Sequence, residues 1–352
     1  MKIFMLIKKL RYSGAYKMFM WLADALCKQG HSVTVMTFMS NDVKELNPKI
    51  NWIKHDKCGS KNIFKRINII RKEIKKENPD ISISFLLDSN VYNIFACYGL
   101  RTKSIVCERN DPFKPKYYKL KIFKPLFRYA DGAVFQLPKV AEYYNNIKSN
   151  TVIIPNPVIV NYDIELKPFS QRPERINVLG RLDIFQKRLD IMLRAFEIFL
   201  RTNPLYKIIF YGDGPDKDKL KSLANDLKIS DKVVFAGITN KPMSIMANSR
   251  LFVMTSDFEG IPNALIEAMS IGLPCISTDC RPGGARLLVK DGYNGFLVPT
   301  GDAELIAYKM NLIANNSDLA TKIGENAKKV REEYSEEKII SMWESYLSSI
   351  LK

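Results

Sequence analysis

Short runs of apolar, β-branched and aromatic residues alternate along this chain with longer segments in which apolar residues recur every three or four positions. The short runs have the length of buried strands, and the longer segments have the period of amphipathic helices. Strands that alternate regularly with helices are typical of parallel sheets covered on both faces. The pattern therefore predicts an α/β protein.

The series of strands and helices occurs twice. The first half predicts strands near residues 2–7, 32–38, 81–87, 103–107 and 132–136, with helices that include 15–28 and 63–77. The second half predicts strands at 176–179, 207–211, 232–235, 251–254 and 274–277, with helices at 187–201, 215–227 and 262–271. Each series suits a doubly wound, Rossmann-like domain, so we expect domains at residues 1–165 and 166–334. Two such domains facing a cleft would place a ligand between the carboxyl ends of their strands.

The composition excludes several classes of protein. No apolar run approaches the roughly 20 residues that cross a bilayer, and the run at residues 1–7 meets Lys8 and Lys9 too early for a signal peptide. The six cysteines show no CxxC spacing, so neither a zinc site nor a disulfide framework is indicated. We therefore expect a cytoplasmic globular protein.

The net charge of +17 lies mostly in the first half of the chain. Residues 1–165 carry 28 Lys and Arg against 14 Asp and Glu, a net charge of +14, which leaves only +3 for the second half. A coding bias toward lysine would raise the lysine content of both halves equally. The asymmetry favours an anionic partner for the first half.

Candidate chemistry begins in the loop after the strand at 176–179. Arg181 and Lys187 place positive charge at the carboxyl edge of the predicted sheet, just before a helix. The planar fork of Arg and the mobile ammonium of Lys could together neutralise a diphosphate. Two solvated surface cations are an equally good interpretation of this loop alone.

A second candidate segment follows the strand at 251–254. Gly260 would let the backbone approach a ligand, and Pro262 in the first turn predicts a helix start whose free amides attract anions. Glu259 precedes this helix and Glu267 lies more than a turn inside it, so the two carboxylates could bind different parts of one ligand. Ordinary exposed acids at a helix start are the alternative, and the apolar neighbours of both residues make it the weaker one.

These motifs resemble those of the retaining glycosyltransferases of the GT-B fold, glycosyltransferase family 4 (glycosyl transferases group 1). The family pattern of Gly-Arg, five residues, Lys, then Glu, seven residues, Glu matches Arg181, Lys187, Glu259 and Glu267 in order and spacing. The resemblance extends over nearly the whole chain. It implies that the final helix, residues 335–352, crosses back to the first domain.

The resemblance also implies residue roles. Arg181 and Lys187 would hold the donor diphosphate, Glu259 would meet the hydroxyls of the donor sugar, and Glu267 would meet the ribose. The implied catalytic residues are Arg181, Lys187 and Glu259, and the implied donor-binding residues are Gly14, Gly180, Arg181, Lys187, Gly212, Gly237, Ile238, Glu259, Gly260, Ile261, Pro262, Asn263 and Glu267.

Two features depart from the family pattern. The acidic residue that follows Gly14 in relatives is missing, and Arg109 stands where many relatives have a histidine. The only histidines, His31 and His55, lie near early strands, so a histidine base is hard to build. An inverting transferase needs a general base, whereas a retaining enzyme can let the departing phosphate oxygen take the acceptor proton. We therefore expect a retaining reaction.

A metal and a cofactor are not expected. Asp216 and Asp218 form an Asp-x-Asp triplet of the kind that holds manganese or magnesium in other transferases. They lie at a predicted helix start beside Lys217 and Lys219, so solvated helix-start acids are the better interpretation. The substrate would be a nucleotide diphosphate sugar, with UDP as the expected nucleotide.

Residues 113–128, from Phe113 to Arg128, interleave six cations with five aromatic residues and contain no acid. Such interleaving suits docking on an anionic membrane surface or nucleic-acid binding, and membrane docking and an amphipathic helix with a buried apolar face explain the segment equally well. For residues 61–76, whose apolar residues have helical spacing, we favour the buried-face interpretation.

The sequence as a whole predicts a retaining, metal-independent glycosyltransferase that acts at the inner face of the cell membrane. It would move a hexose or N-acetylhexosamine to a lipid-diphosphate-linked saccharide in surface polysaccharide or glycan biosynthesis. Another GT-B enzyme, such as a sugar-nucleotide epimerase, is one alternative. A basic nucleic-acid-binding protein is the other, although the sequence shows no zinc finger, RNP-like or helix-turn-helix motif.

Overall fold

The computed structural model describes residues 1–10, 14–39, 46–55, 62–109, 111–113, 118–144, 150–159, 164, 166–239 and 241–352. They form two compact units, which we call unit 1 (residues 1–156 and 337–352) and unit 2 (residues 157–336). Each unit is an α/β structure with parallel strands. The expected α/β class is confirmed.

The boundary between the units lies nine residues before the predicted one. Asn156 accepts hydrogen bonds from Arg109 and Gln136, which hold it in unit 1. The backbone N–H of Val158 donates to the carbonyl oxygen of Tyr334 at 2.7 Å, which places it in unit 2. The sequence prediction placed the boundary in the polar stretch. In the structure, the chain changes from hydrogen-bond partners in unit 1 to partners in unit 2 earlier than that, between Asn156 and Val158.

Unit 1 contains one parallel sheet among the described residues, with the strand order β3-β2-β1-β4-β5-β6-β7. Its strands are β1 (Lys2–Ile7), β2 (Ser32–Thr37), β3 (Asn51–Lys54), β4 (Ile81–Phe85), β5 (Lys103–Glu108), β6 (Gly132–Phe135) and β7 (Asn150–Ile153). Its helices are α1 (Gly14–Lys28), α2 (Ile63–Glu77), α3 (Leu87–Cys97), α4 (Tyr118–Phe123) and α5 (Pro138–Tyr143), with a 3-10 helix at Lys124–Tyr129. Strands β3 and β7 were not predicted.

Helix α2 has the bounds that its periodicity predicts, and the side chain of Asn62 caps its first turn. Ile70 and Ile74 are buried in the core of unit 1, as the helical spacing indicates. Ile63 and Phe64, in contrast, are 41% and 81% exposed. The buried-face interpretation therefore holds for the C-terminal part of α2 and is wrong for its first turn.

The described residues of unit 2 form two three-stranded parallel sheets, and a parallel bridge between Ile176 and Leu251 connects them. Its strands are β8 (Arg175–Leu179), β9 (Lys207–Tyr211), β10 (Val233–Gly237), β11 (Phe252–Met254), β12 (Cys275–Thr278) and β13 (Phe296–Val298). Its helices are α6 (Ile184–Lys187), α7 (Leu189–Leu200), α8 (Lys217–Asp226), α9 (Pro242–Ala247), α10 (Asn263–Ser270), α11 (Gly284–Leu288), α12 (Ala303–Ala314), α13 (Ser317–Ala327) and α14 (Val330–Glu333). Short 3-10 helices lie at Phe169–Gln171 and Ser230–Lys232.

The last helix, α15 (Glu336–Leu351), packs in unit 1, where the resemblance placed it. Trp343 and Leu347 are buried there, and the hydroxyl of Tyr346 donates to the carbonyl oxygen of Asn150 at 2.6 Å. Glu344 accepts a hydrogen bond from the ring of His31 at 2.8 Å. A Cβ at Gly132 would overlap the hydroxyl of Tyr346, so β6 needs glycine at this point. The helix therefore completes the β6 and β7 side of the sheet.

Candidate active site

The loop after β8 carries Arg181 and Lys187 and ends in a short helix. The carboxylate of Asp183 accepts a hydrogen bond from the N–H of Gln186 at 3.0 Å, which caps the first turn of α6. At Arg188 the backbone is left-handed, with φ at 47°, so α6 and α7 are separate helices. The predicted continuous helix over 187–201 is wrong at this residue. The break places Lys187 at the end of α6.

Two carboxylates bind the side chain of Arg188, at the break between α6 and α7. The guanidinium of Arg188 donates to Asp190 at 3.2 Å and to Asp257 at 3.1 Å. Asp257 belongs to the loop after β11, so this ion pair also joins the two loops. Arg188 and Asp257 were missed in the sequence, where they resemble ordinary surface charges.

Backbone contacts fix the loop after β11 against the loop after β8. The hydroxyl of Thr255 donates to the carbonyl oxygen of Lys187 at 2.8 Å, and the N–H of Asp257 donates to that of Gln186 at 2.9 Å. The side-chain amide of Gln186 donates in return to the carbonyl oxygen of Phe258 at 3.2 Å. These bonds hold the ends of the two loops in one fixed arrangement.

Lys187 and Glu259 meet where the two loops converge. The ammonium nitrogen of Lys187 lies 2.5 Å from Oε1 of Glu259, and the hydroxyl of Ser256 donates to the same oxygen at 3.0 Å. The side chains of Lys187 and Glu259 are 29% and 12% exposed, so the pair is shielded but reachable. Charge-assisted contacts of this kind orient both groups. Ser256 is a further residue that the sequence prediction did not include.

Arg181 lies on the open side of the same loop. Its side chain is 67% exposed, and its nearest carboxylate, Asp183, is 3.9 Å away. A small cavity of about 30 Å³ lies between the ends of β8 and β11, and its lining includes Gly180, Arg181, Lys187 and Ser256. Both cations therefore line this cavity, and Arg181 is open enough for an anion to approach it.

The segment between Glu259 and α10 is buried and closely packed. The N–H of Glu259 donates to the carbonyl oxygen of Arg281 at 2.8 Å, and Ile261 and Pro262 are buried. A Cβ at Gly284 would overlap the carbonyl oxygen of Gly260, so the start of α11 approaches this loop closely. The loop is therefore held from both sides.

Helix α10 begins at Asn263, one residue after the predicted start, and Pro262 is its N-cap. Glu267 lies in the second turn of this helix and is half-buried. The break before α10 keeps Glu267 on a different element from Glu259, as the sequence indicated.

Three of the predicted glycines of unit 2, Gly180, Gly212 and Gly237, lie together at the ends of the adjacent strands β8, β9 and β10. The N–H of Gly180 donates to the carbonyl oxygen of Tyr211 at 3.0 Å, and that of Gly212 donates to the carbonyl oxygen of Gly237 at 2.7 Å. Ile238, next to Gly237, is 83% exposed. The structure thus brings these three glycines, all predicted to bind the donor, to one edge of a sheet. Gly14, at the start of α1, belongs to unit 1.

Asp216 and Asp218 serve different parts of unit 2. The carboxylate of Asp216 accepts from Lys219 at 2.8 Å and from the N–H of Ile184 at 2.9 Å, and these bonds lower its pKa. Asp218 is exposed and pairs with Lys221 at 3.7 Å. Asp216 therefore supports the start of α6. In the described part of the chain, no three His, Cys, Asp or Glu side chains are grouped to hold a metal ion.

The described part of residues 113–128 has one buried and one exposed side. Phe127 is fully buried and stacks on Tyr144 at 4.9 Å, whereas Ile122 is 66% exposed. The ammonium of Lys124 lies 4.2 Å from the ring centre of Tyr143. Lys114, Lys116 and Tyr117 lie outside the described residues. Within the described ranges, every helix is too short or too polar to span a bilayer.

Comparison with known proteins shows what unit 2 and the whole chain are similar to. Residues 164–330 match the family model described as "Glycosyl transferases group 1". The chain is 25% identical, over 99% of its own length and 99% of the relative's, to a Campylobacter jejuni GalNAc-alpha-(1->4)-GalNAc-alpha-(1->3)-diNAcBac-PP-undecaprenol alpha-1,4-N-acetyl-D-galactosaminyltransferase. It is 26% identical to an uncharacterized glycosyltransferase of Haemophilus influenzae, over 93% of the chain and 94% of the relative.

The fold is also that of solved structures. Anabaena HepE in complex with UDP and glucose superposes with a TM-score of 0.83 at 18% identity, over 99% of this chain and 100% of HepE. The matched structures have the GT-B fold, so the expected fold class is confirmed.

Proposed function

We propose that this chain, a glycosyltransferase with a group 1 domain at residues 164–330, moves a hexose or N-acetylhexosamine from a UDP-linked donor to a lipid-diphosphate-linked saccharide. The observation that carries the proposal is the contact between Lys187 and Glu259 beside Arg181, at the edge where doubly wound sheets bind ligands. The similarity to the Campylobacter jejuni enzyme over the whole chain supports the class of acceptor.

The cations of the site suit a leaving diphosphate. As the bond between the sugar and the phosphate oxygen breaks, negative charge develops on the diphosphate, and Arg181 and Lys187 would stabilise it. Glu259, which Lys187 and Ser256 hold through Oε1, would direct its carboxylate to the hydroxyls of the donor sugar. Glu267 would bind the ribose.

We further propose that the reaction retains the anomeric configuration and needs no metal, as in glycosyltransferase family 4. The acceptor oxygen attacks the anomeric carbon on the face that the diphosphate leaves, and the departing phosphate oxygen takes the acceptor proton. No protein base is required in this route, and the two cations supply the positive charge that a metal would supply. Retention is consistent with the α-linkage in the Campylobacter jejuni enzyme's name.

The proposal predicts which nucleotide and which product will be found. A thermal-shift panel of UDP, GDP and ADP should show the largest stabilisation with UDP, because a ligand that binds only the native state raises its stability. With a UDP-linked α-sugar and a prenyl-diphosphate-linked saccharide, NMR of the product should show an α-linkage, and EDTA should leave the rate largely unchanged. A β-linked product would contradict retention. Activity that EDTA abolishes and manganese restores would contradict the metal-independent mechanism.

We also propose that unit 1 docks on the anionic inner face of the cell membrane through residues 113–128, because a lipid-linked acceptor must be met at the bilayer. The segment belongs to the half of the chain with a net charge of +14, and its exposed side includes Lys121 and Ile122. Each cation near such a surface contributes on the order of 1 kcal/mol, and salt weakens this attraction.

Liposome co-sedimentation tests this docking. We expect the wild type to prefer anionic over neutral vesicles. A variant with Lys114, Lys116, Lys119 and Lys121 changed to Ser should lose most of this binding. A matched variant with Lys65, Lys72, Lys75 and Lys76 of α2 changed to Ser removes the same charge and should bind like the wild type. Equal binding by both variants would contradict docking through residues 113–128.

A further inference from the structure

Arg109 follows β5 at the carboxyl edge of the unit 1 sheet. Its Nη1 donates to Oδ1 of Asn156 at 2.8 Å, and its guanidinium carbon lies 4.5 Å from the ring centre of Phe85. The side-chain amide of Gln136 donates to the same oxygen of Asn156. Asn156 therefore presents its oxygen to Arg109, and neighbouring side chains hold the guanidinium in place.

In the described part of unit 1 the guanidinium makes no salt bridge, although the buried carboxylate of the adjacent Glu108 lies close enough to attract it. Arg109 forms no ion pair there, and its Nε is buried without an acceptor. The carboxylate of the adjacent Glu108 accepts instead from the backbone N–H of Arg109 at 3.0 Å. A buried cation with a neutral acceptor and an aromatic face is poorly compensated. Burial accordingly lowers the pKa of Arg109.

The surroundings of Arg109 indicate what kind of anion would compensate it. The residue remains partly accessible and lies beyond the end of a parallel strand, where doubly wound sheets bind their ligands. A guanidinium offers a planar fork of donors that suits phosphate oxygens. We propose that Arg109 binds a phosphate group of the acceptor and thereby positions that acceptor. This inference rests on the proposed function, since it assigns the charged part of the same acceptor to unit 1.

Direct binding of inorganic diphosphate tests the site. Isothermal titration is done on protein saturated with UDP, so that the donor phosphates already occupy Arg181 and Lys187. The wild type should bind one diphosphate, and Arg109→Gln should weaken this binding about tenfold or more. Arg101→Gln, which removes an equal charge from an exposed position of unit 1 outside residues 113–128, should bind like the wild type. No binding by the wild type, or equal binding by Arg109→Gln, would overturn the proposal.

A second variant supplies an internal anion to the guanidinium and leaves Arg109 in place. Asn156→Asp places a carboxylate where an oxygen already lies 2.8 Å from the guanidinium. It should compensate the cation internally, so diphosphate binding should weaken even though Arg109 is intact. Undiminished diphosphate binding by Asn156→Asp would also overturn the proposal. This test remains valid if Arg109→Gln fails to fold.

Kinetics identify the source of the phosphate. Two acceptors are compared: a short-chain prenyl-diphosphate saccharide and the same saccharide as an octyl glycoside, which has no phosphate. Arg109→Gln should raise KM for the first acceptor about tenfold, with kcat, KM for the donor and turnover of the octyl glycoside nearly unchanged. An equal loss of activity on both acceptors would mean that Arg109 has a structural role. That result would contradict the assignment of Arg109 but not the proposed function. A wild type that uses neither acceptor would instead contradict the proposed function.

Discussion

Replacing Lys187 by alanine is expected to lower kcat at saturating donor by about a hundredfold or more, because in the proposed reaction the ammonium would stabilise charge that develops as the diphosphate departs. Arg181→Ala should have a similar effect through the second cation of the loop. Steady-state kinetics with saturating UDP-sugar measure both losses. Lys219→Ala is the control, since it removes a cation of unit 2 that pairs with Asp216 instead. A near-normal rate for Lys187→Ala or Arg181→Ala would contradict the phosphate-binding role.

The contact between Lys187 and Glu259 requires one further comparison. Because the two atoms are 2.5 Å apart, Lys187→Ala also leaves the largely buried carboxylate of Glu259 without its cation. The double variant Lys187→Ala with Glu259→Gln separates the two effects. If Lys187 only orients Glu259, the double variant should match Glu259→Gln alone in rate and in affinity for UDP. A phosphate-binding Lys187 predicts a further loss of both.

Glu259→Gln and Glu267→Gln are expected to fail in different ways. In the proposed site Glu267 would hold the ribose alike in the ground and transition states, so Glu267→Gln should weaken UDP binding by about tenfold with little change in kcat. Glu259→Gln should lower kcat by a comparable or larger factor and relax the choice of sugar, because its contacts strengthen as the sugar reacts. Calorimetry with UDP alone and with UDP-sugar, together with kinetics, distinguishes them. Indistinguishable behaviour would contradict the separate roles.

The local pattern of the sequence predicts those elements whose apolar residues follow one face. Helix α2 is bounded as predicted, since its periodicity and its capping Asn62 are both local. Strands β3 and β7 were missed because they are edge strands with few buried positions, so they lack an apolar run. Pattern alone is therefore informative for central strands and less so for the edges of a sheet.

The candidate site shows the same division. The order of Arg181, Lys187, Glu259 and Glu267 is visible in the sequence, and from it Lys187 and Glu259, which meet in the structure, could be assigned to one site. The break at Arg188 could not, because apolar residues continue in helical spacing across it. A carboxylate 69 residues further along the chain, Asp257, helps to hold that break. Geometry that depends on such distant partners is absent from any local pattern.

The position of α15 has a consequence for synthesis on the ribosome. Residues 1–156 leave the ribosome first, but the helix that covers Gly132 and binds His31 through Glu344 is made only after the 180 residues of unit 2 at 157–336. At about 5 to 20 residues per second, this interval lasts roughly 10 to 40 seconds. During it, the β6 and β7 side of unit 1 lacks its cover. Although unit 2 begins later in the sequence, the synthesis of all its residues is therefore finished before that of unit 1.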